Sequence, residues 1–157
     1  MSDRRVLSAP ELQELAGVLA RLGSFLRNVT AEELAARLGW QVVERRDDVV
    51  IVDTGLPVDD GRADLRIDGG PVSDVSVTIS DVEPDETEEA RAFRTDAFAE
   101  AVEALRGVYG EPTAAEPGDY PEASWRLAEV TLRVWLGAAV DLQVMLNADA
   151  DALDEEY

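Results

Sequence analysis

VTLRVWLGAAVDLQVML, residues 130 to 146, alternates apolar and polar side chains on both sides of a Gly137-Ala138 break. Val130, Leu132, Val134 and Leu136 fall on one face of an extended chain, and Val140, Leu142, Val144 and Leu146 repeat the pattern. Side chains two residues apart share a strand face, so the stretch reads as a β-hairpin with one dry and one wet side. Gly-Ala is a weaker turn than Asn-Gly, and the alternation carries most of the signal. The wet side then presents Thr131, Arg133 and Trp135 on the first strand and Asp141, Gln143 and Met145 on the second. Tryptophan, arginine and methionine among polar neighbours form the mixture enriched at protein interfaces. The competing reading has the N-terminal helices cover this face, making Trp135 and Met145 ordinary core.

Working back from the hairpin, Ser124 to Leu127 extends the strand region, with Trp125 as a core plug. The segment from Gly107 to Pro121 reads as a long polar loop rich in glycine and proline. Before it, Phe93, Ala97, Ala101 and Leu105 recur at four-residue spacing with Phe98 and Val102 beside them, which predicts one long helix ending near Arg106. Residues 81 to 89 hold six carboxylates and one proline. They lack the central glycine and final glutamate of a calcium loop. Asp85 and Glu88 read as a capping box, and Glu88 as a partner for Arg91 one turn on.

Further upstream, Val75, Val77 and Ile79 alternate with Ser76, Thr78 and Ser80, Leu65 and Ile67 share a face, and residues 49 to 52 form an apolar run. Three or four antiparallel strands fit. Asp47 and Asp48 mark one turn, and GLPVDDG, with Asp59 and Asp60, marks another. The chain opens with two helices. Ser8, Pro10 and Glu11 cap the first, whose stripe is Leu12, Leu15, Ala16, Leu19 and Leu22; Thr30 and Glu33 open the second, which Gly39 ends just before Trp40. The last nine residues, DADALDEEY, read as a frayed acidic tail. The sum is a single α+β domain over residues 1 to 157: two N-terminal helices, an antiparallel sheet, one long central helix and a C-terminal hairpin, with the ordered core at about 8 to 147 and the tail at 148 to 157.

Composition narrows the chemistry. There is no cysteine, histidine or lysine among the 157 residues, so thiol and imidazole catalysis and the usual zinc sets are excluded. Only carboxylates, hydroxyls and arginines remain, and with 34 acids close pairs arise by chance. No catalytic residue, cofactor or metal is assigned, because GLPVDDG and DGGP lack the lysine and helix of a phosphate loop. The formal net charge of -20 repels nucleic acid and anionic lipid and steers cationic proteins inward. Solubility or salt adaptation accounts for the same number. No stretch approaches a membrane span or a signal peptide, which makes the cytoplasm the expected compartment.

The order of motifs then matters. LGW at the end of the second helix, LRGVYGEPT after the long one, and SWRL, TLRVW and VDLQV in the hairpin together resemble a family of small actinobacterial proteins that look like acidic immunity partners of delivered toxins. The likeness spans roughly residues 8 to 147. It implies a cytoplasmic antidote that occupies a toxin's active site or blocks its closure, and it transfers no functional residues.

Three classes follow. The first is a non-enzymatic inhibitor of a basic toxin enzyme, with Trp135 as anchor, Arg133, Met145 and Asp141 beside it, and Asp47, Asp48, Asp59 and Asp60 as mimics of an acidic substrate. The second is a chaperone-like or structural module, favouring a homodimer with an apolar groove. The third is an enzyme or small-ligand protein, which needs a deep pocket lined by converging carboxylates or arginines.

Overall fold

The structure is a computed structural model. It describes the backbone of residues 4–58, 61–83 and 85–155, and the side chains of these except 24 and 152–155. The first helix, α1, spans Ala9–Ala20, and both halves of the Ser8–Glu11 capping box form. A short 3-10 turn at Gly23–Phe25 leads to α2, Ala31–Leu38. Thr30 caps α2 by accepting the Glu33 N–H, while Gly39 ends it in the left-handed region at φ 74°. Glycine is the residue that takes this backbone without a Cβ penalty.

Four strands follow: β1 (Gln41–Arg45), β2 (Val49–Asp53), β3 (Arg62–Ile67) and β4 (Val72–Thr78). The central helix α3 runs Glu88–Tyr109. Then come β5 (Ala114–Glu116), β6 (Glu122–Arg126), β7 (Val130–Leu136), β8 (Val140–Leu146) and a last helix α4, Asn147–Glu155. All eight strands join one antiparallel sheet in the order β1-β2-β3-β4-β8-β7-β6-β5. Each half of the chain is thus helix first, α1 and α2 in one and α3 in the other, followed by a four-stranded meander, and the last strands of the two meanders, β4 and β8, meet in the middle.

Alternation sorts the sheet into two faces. Val50, Val52, Leu65, Val75, Val77, Trp125, Leu132, Val134, Leu142 and Val144 point into one core with Leu12, Leu15, Leu19, Leu34, Ala97, Ala101 and Leu105 of α1, α2 and α3. The three helices all cover this face. The expected core stripe of α1 is buried as read, and Trp125 is a core plug at 1% exposure, its indole N–H donating to the Gly110 carbonyl at 2.9 Å. Trp40 is half-buried against the same core.

The structure corrects four readings. Residues 107 to 121 are not a plain loop, because α3 continues to Tyr109 and Ala114–Glu116 pairs with β6 as an edge strand. The cap of α3 is Thr87 rather than Asp85, since the Thr87 hydroxyl accepts the Ala90 N–H at 3.1 Å. Arg91 pairs with Glu86, not Glu88. Over residues 147–155 the expected frayed tail is instead helix α4, held by the Asn147 hydrogen bonds and by burial of Ala150 and Met145, with ion pairs to arginines remote in sequence; residues 156 and 157 lie outside the described residues. Asp149 meets Arg27 at 2.7 Å and Asp151 meets Arg126 at 2.6 Å.

The acid-rich segment at 81 to 89 has a structural explanation. Buried Asp81 accepts the Arg5 N–H at 2.8 Å and returns its own N–H to the Arg5 carbonyl, while Glu83 pairs with Arg4. These bonds fasten the N-terminal strand segment beside Ile79.

Candidate protein-binding site

The face of the sheet away from α1, α2 and α3 carries Arg62, Asp64 and Arg66 on β3, Asp74, Ser76 and Thr78 on β4, Asp141, Gln143 and Met145 on β8, Thr131, Arg133 and Trp135 on β7, and Glu122, Ser124 and Arg126 on β6. Polar atoms bind one another along and across the strands. Arg62 pairs with Asp64 at 2.9 Å, Arg66 with Asp74 at 3.7 Å, and Arg133 with Glu122 at 4.0 Å. Thr78 donates to Asp141 at 3.0 Å and Gln143 to Asp74 at 3.4 Å. This face is wet, and beside Ala150 it carries a recess of about 400 Å³ lined by Glu116, Glu122, Ser124, Arg126 and Arg133.

Helix α4 folds across one end of this face. It packs on β7 and β8, and Ala150 is buried above the strands. Asn147 anchors it, accepting from the Thr131 hydroxyl and donating to the Leu127 and Ala128 carbonyls. Met145 is thereby 1% exposed and Thr131 buried. The expectation that Met145 contacts a partner is therefore corrected: the chain's own C-terminus takes that surface. Neither reading of the wet hairpin face anticipated this, since the N-terminal helices lie on the opposite side.

Trp135, Arg133 and Asp141 remain together on the open face towards the Thr78 end of the sheet, each half-buried. The β6–β7 register adds Glu122 directly opposite Trp135, a neighbour that the hairpin alone does not reveal. Asp47 and Asp48 are exposed in the β1–β2 turn, three strands from β8 and beside the Ile67 end of β3, whereas Trp135 and Asp141 lie at the Thr78 end. They do not join the Trp135 cluster. Asp59 and Asp60 lie outside the described residues.

Burial pushes the Asp74 carboxyl above its ordinary value; Arg66 and the Gln143 amide oppose the shift, while Asp149 and Asp64 add to it. A folded pKa above the unfolded one means stability that is present at low pH and lost as pH rises through the folded value. Asp74→Asn should therefore raise the melting temperature at pH 7, with the advantage closing as pH falls below the unfolded carboxylate range. Thermal scans of both proteins across pH check this, and an Asn variant that is less stable at pH 7 would contradict it.

The sheet edges are blunted. Strand β1 has a bulge between Val42 and Glu44, and β5 is three residues long with Pro112 and Pro117 nearby on either side. Bulges, short strands and prolines all oppose pairing with another chain. A recess of about 700 Å³ lies between α3 and residues 118–121, lined by Arg91, Arg94, Thr95 and Tyr120. Both arginines are already engaged, Arg94 by the Glu83 and Asp85 carbonyls and Arg91 by Glu86. Among the described residues, no cluster of carboxylates is placed to hold a metal ion, and no helix is long and apolar enough to cross a membrane.

Fold and site together define an α+β protein whose eight-stranded antiparallel sheet is covered by three helices on one side and carries a charged, tryptophan-centred face on the other. The chain belongs to DUF6301, a family of unknown function whose profile matches residues 14–146. No curated protein and no solved structure matches it.

Proposed function

We propose that the protein is a non-enzymatic inhibitor that binds a basic protein through the open face of its sheet, in the manner of an immunity protein neutralising a toxin enzyme in the cytoplasm. The observation that carries this reading is the position of Trp135. A half-buried indole sits among Arg133, Glu122 and Asp141 on the sheet face that α1, α2 and α3 leave open, in a chain of net charge -20. Long-range charge supports fast encounter with a cationic cleft, and an aromatic anchor supplies short-range affinity that charge does not.

The test is affinity capture from a lysate of the source organism, with wild-type and Trp135→Ala baits side by side, washed at low and then high salt. A basic protein held stoichiometrically by the wild type and at least about tenfold more weakly by Trp135→Ala is the expected result. Equal unfolding midpoints for the two baits exclude damage to the fold. A bait that retains only copies of itself would remove the inhibitor reading in favour of a homodimeric module.

A further inference from the structure

Beside α4 the open face holds a recess of about 400 Å³, within the range of small-ligand sites. Strands β5, β6 and β7 line it from the sheet, and Ala150 of α4 stands beside them. Ser124 of β6 is directly opposite Arg133 of β7, with Glu122 and Arg126 two residues to either side of Ser124 on the same face. Glu116 of β5 is opposite Glu122. Strand register therefore brings cations, carboxylates and a hydroxyl to one cavity.

The two arginines of the recess differ. Arg126 is held by Asp151 at 2.6 Å. Arg133 is only 15% exposed at its side chain, and the Glu122 carboxylate paired with it lies 4.0 Å from Nε, beyond hydrogen-bond reach. That Nε is shut off from solvent and has no hydrogen-bond partner among the described residues. A guanidinium withdrawn this far from water is costly unless acceptors meet it. Arg133 thus lacks an acceptor, and it does so in the wall of a cavity of ligand size.

The rest of the lining limits what that acceptor is. A simple anion brought to Arg133 meets Glu116 and Glu122 at close range and the net charge of -20 at long range. A ligand that carries a carboxylate and a cation side by side is neutral overall and meets neither objection. We infer that the recess binds a small zwitterion of the α-amino acid type, its carboxylate accepting from the Arg133 guanidinium and its ammonium donating to Glu122. Guanidinium presents a carboxylate with a planar fork of donors, and the ammonium supplies the hydrogen bonds that Arg133 does not give Glu122. The two charges of an α-amino acid sit on one carbon, which suits a guanidinium and a carboxylate set 4.0 Å apart.

Each standard α-amino acid is titrated calorimetrically into the full chain, and any that binds is compared with its desamino acid and its decarboxylated amine. At least one amino acid is expected to bind, with both analogues at least about tenfold weaker. Arg133→Gln is expected to weaken the amino acid at least about tenfold. Glu122→Gln is expected to weaken it about fivefold and to narrow the gap between amino acid and desamino acid. Asp96→Asn on α3 and Arg45→Gln on β1, exposed charges outside the recess, are expected to change binding less than about twofold.

Binding by none of the amino acids overturns the inference. So does a desamino acid held as tightly as its amino acid, which would mark a bare anion site, and so does binding unchanged in Arg133→Gln, which would place the ligand elsewhere. Glu122 is 39% exposed at its side chain, so its variant and the analogue series keep the test decisive even if Arg133→Gln does not fold. The inference goes beyond the inhibitor reading and does not rest on it. The titration contains no protein partner, so an empty affinity capture leaves the zwitterion site standing, and a silent titration leaves the inhibitor standing.

Discussion

Trp125→Ala is expected to lower the free energy of unfolding by about 4 kcal/mol, near the upper end for loss of a buried aromatic. The side chain is 1% exposed and packs on the covered face of β6. Removing it leaves a cavity in an interior built at close to crystal density, and the Gly110 carbonyl at the end of α3 loses its donor. Domains of this size are stable by roughly 5–15 kcal/mol, so a large share of the total would go. Urea unfolding at pH 7 measures the loss directly. Trp125→Phe separates its two causes, since it retains most of the volume and removes only the indole N–H. A cost below about 1 kcal/mol for the alanine variant would show that β6 is not part of the cooperative core.

Ending the chain at Leu146 is expected to cost about 3 kcal/mol, the second largest effect. The truncation uncovers Met145 and Thr131, removes the Asn147 hydrogen bonds that tie α4 to the β6–β7 turn, and deletes both Asp149–Arg27 and Asp151–Arg126. The ion pairs involve partly exposed arginines and contribute little, so most of the cost comes from the apolar surface and the Asn147 bonds. Five carboxylates leave with the segment, and the relief of self-repulsion offsets part of the loss. A chain ending at Asn147 is the informative companion, because it keeps the asparagine and loses the ion pairs. Chemical unfolding of the three lengths orders them as full chain, Asn147 end, Leu146 end. A Leu146-ended chain as stable as the full one would mean that α4 does not shield Met145 in solution.

The elements read most accurately from sequence are those whose signals are local. Ser8 with Glu11, Thr30 with Glu33, and Gly39 each act within one helical turn, and all three sit where their chemistry requires. The alternation in β7 and β8 also placed Trp135, Arg133 and Asp141 on one face. Other features escaped because their partners are distant. Residues 149–155 have no apolar stripe and many aspartates, which disfavour helix interiors, and their helix forms where Asn147 bonds the β6–β7 turn and Ala150 packs on the sheet. The three residues of β5 carry too short a pattern to register, and they become a strand because β6 offers its edge.

Local side-chain chemistry and periodicity thus determined that this chain is α+β, where its first two helices begin and end, that residues 130 to 146 form a hairpin, and that its surface is acidic. Tertiary structure alone decided which sheet face the helices cover, that β8 inserts between β4 and β7, that α4 buries Met145, and that Glu122 stands beside Trp135. Caps and alternation act between residues a few positions apart. Strand order and register are set by contacts between segments far apart in sequence, which a one-dimensional pattern does not encode.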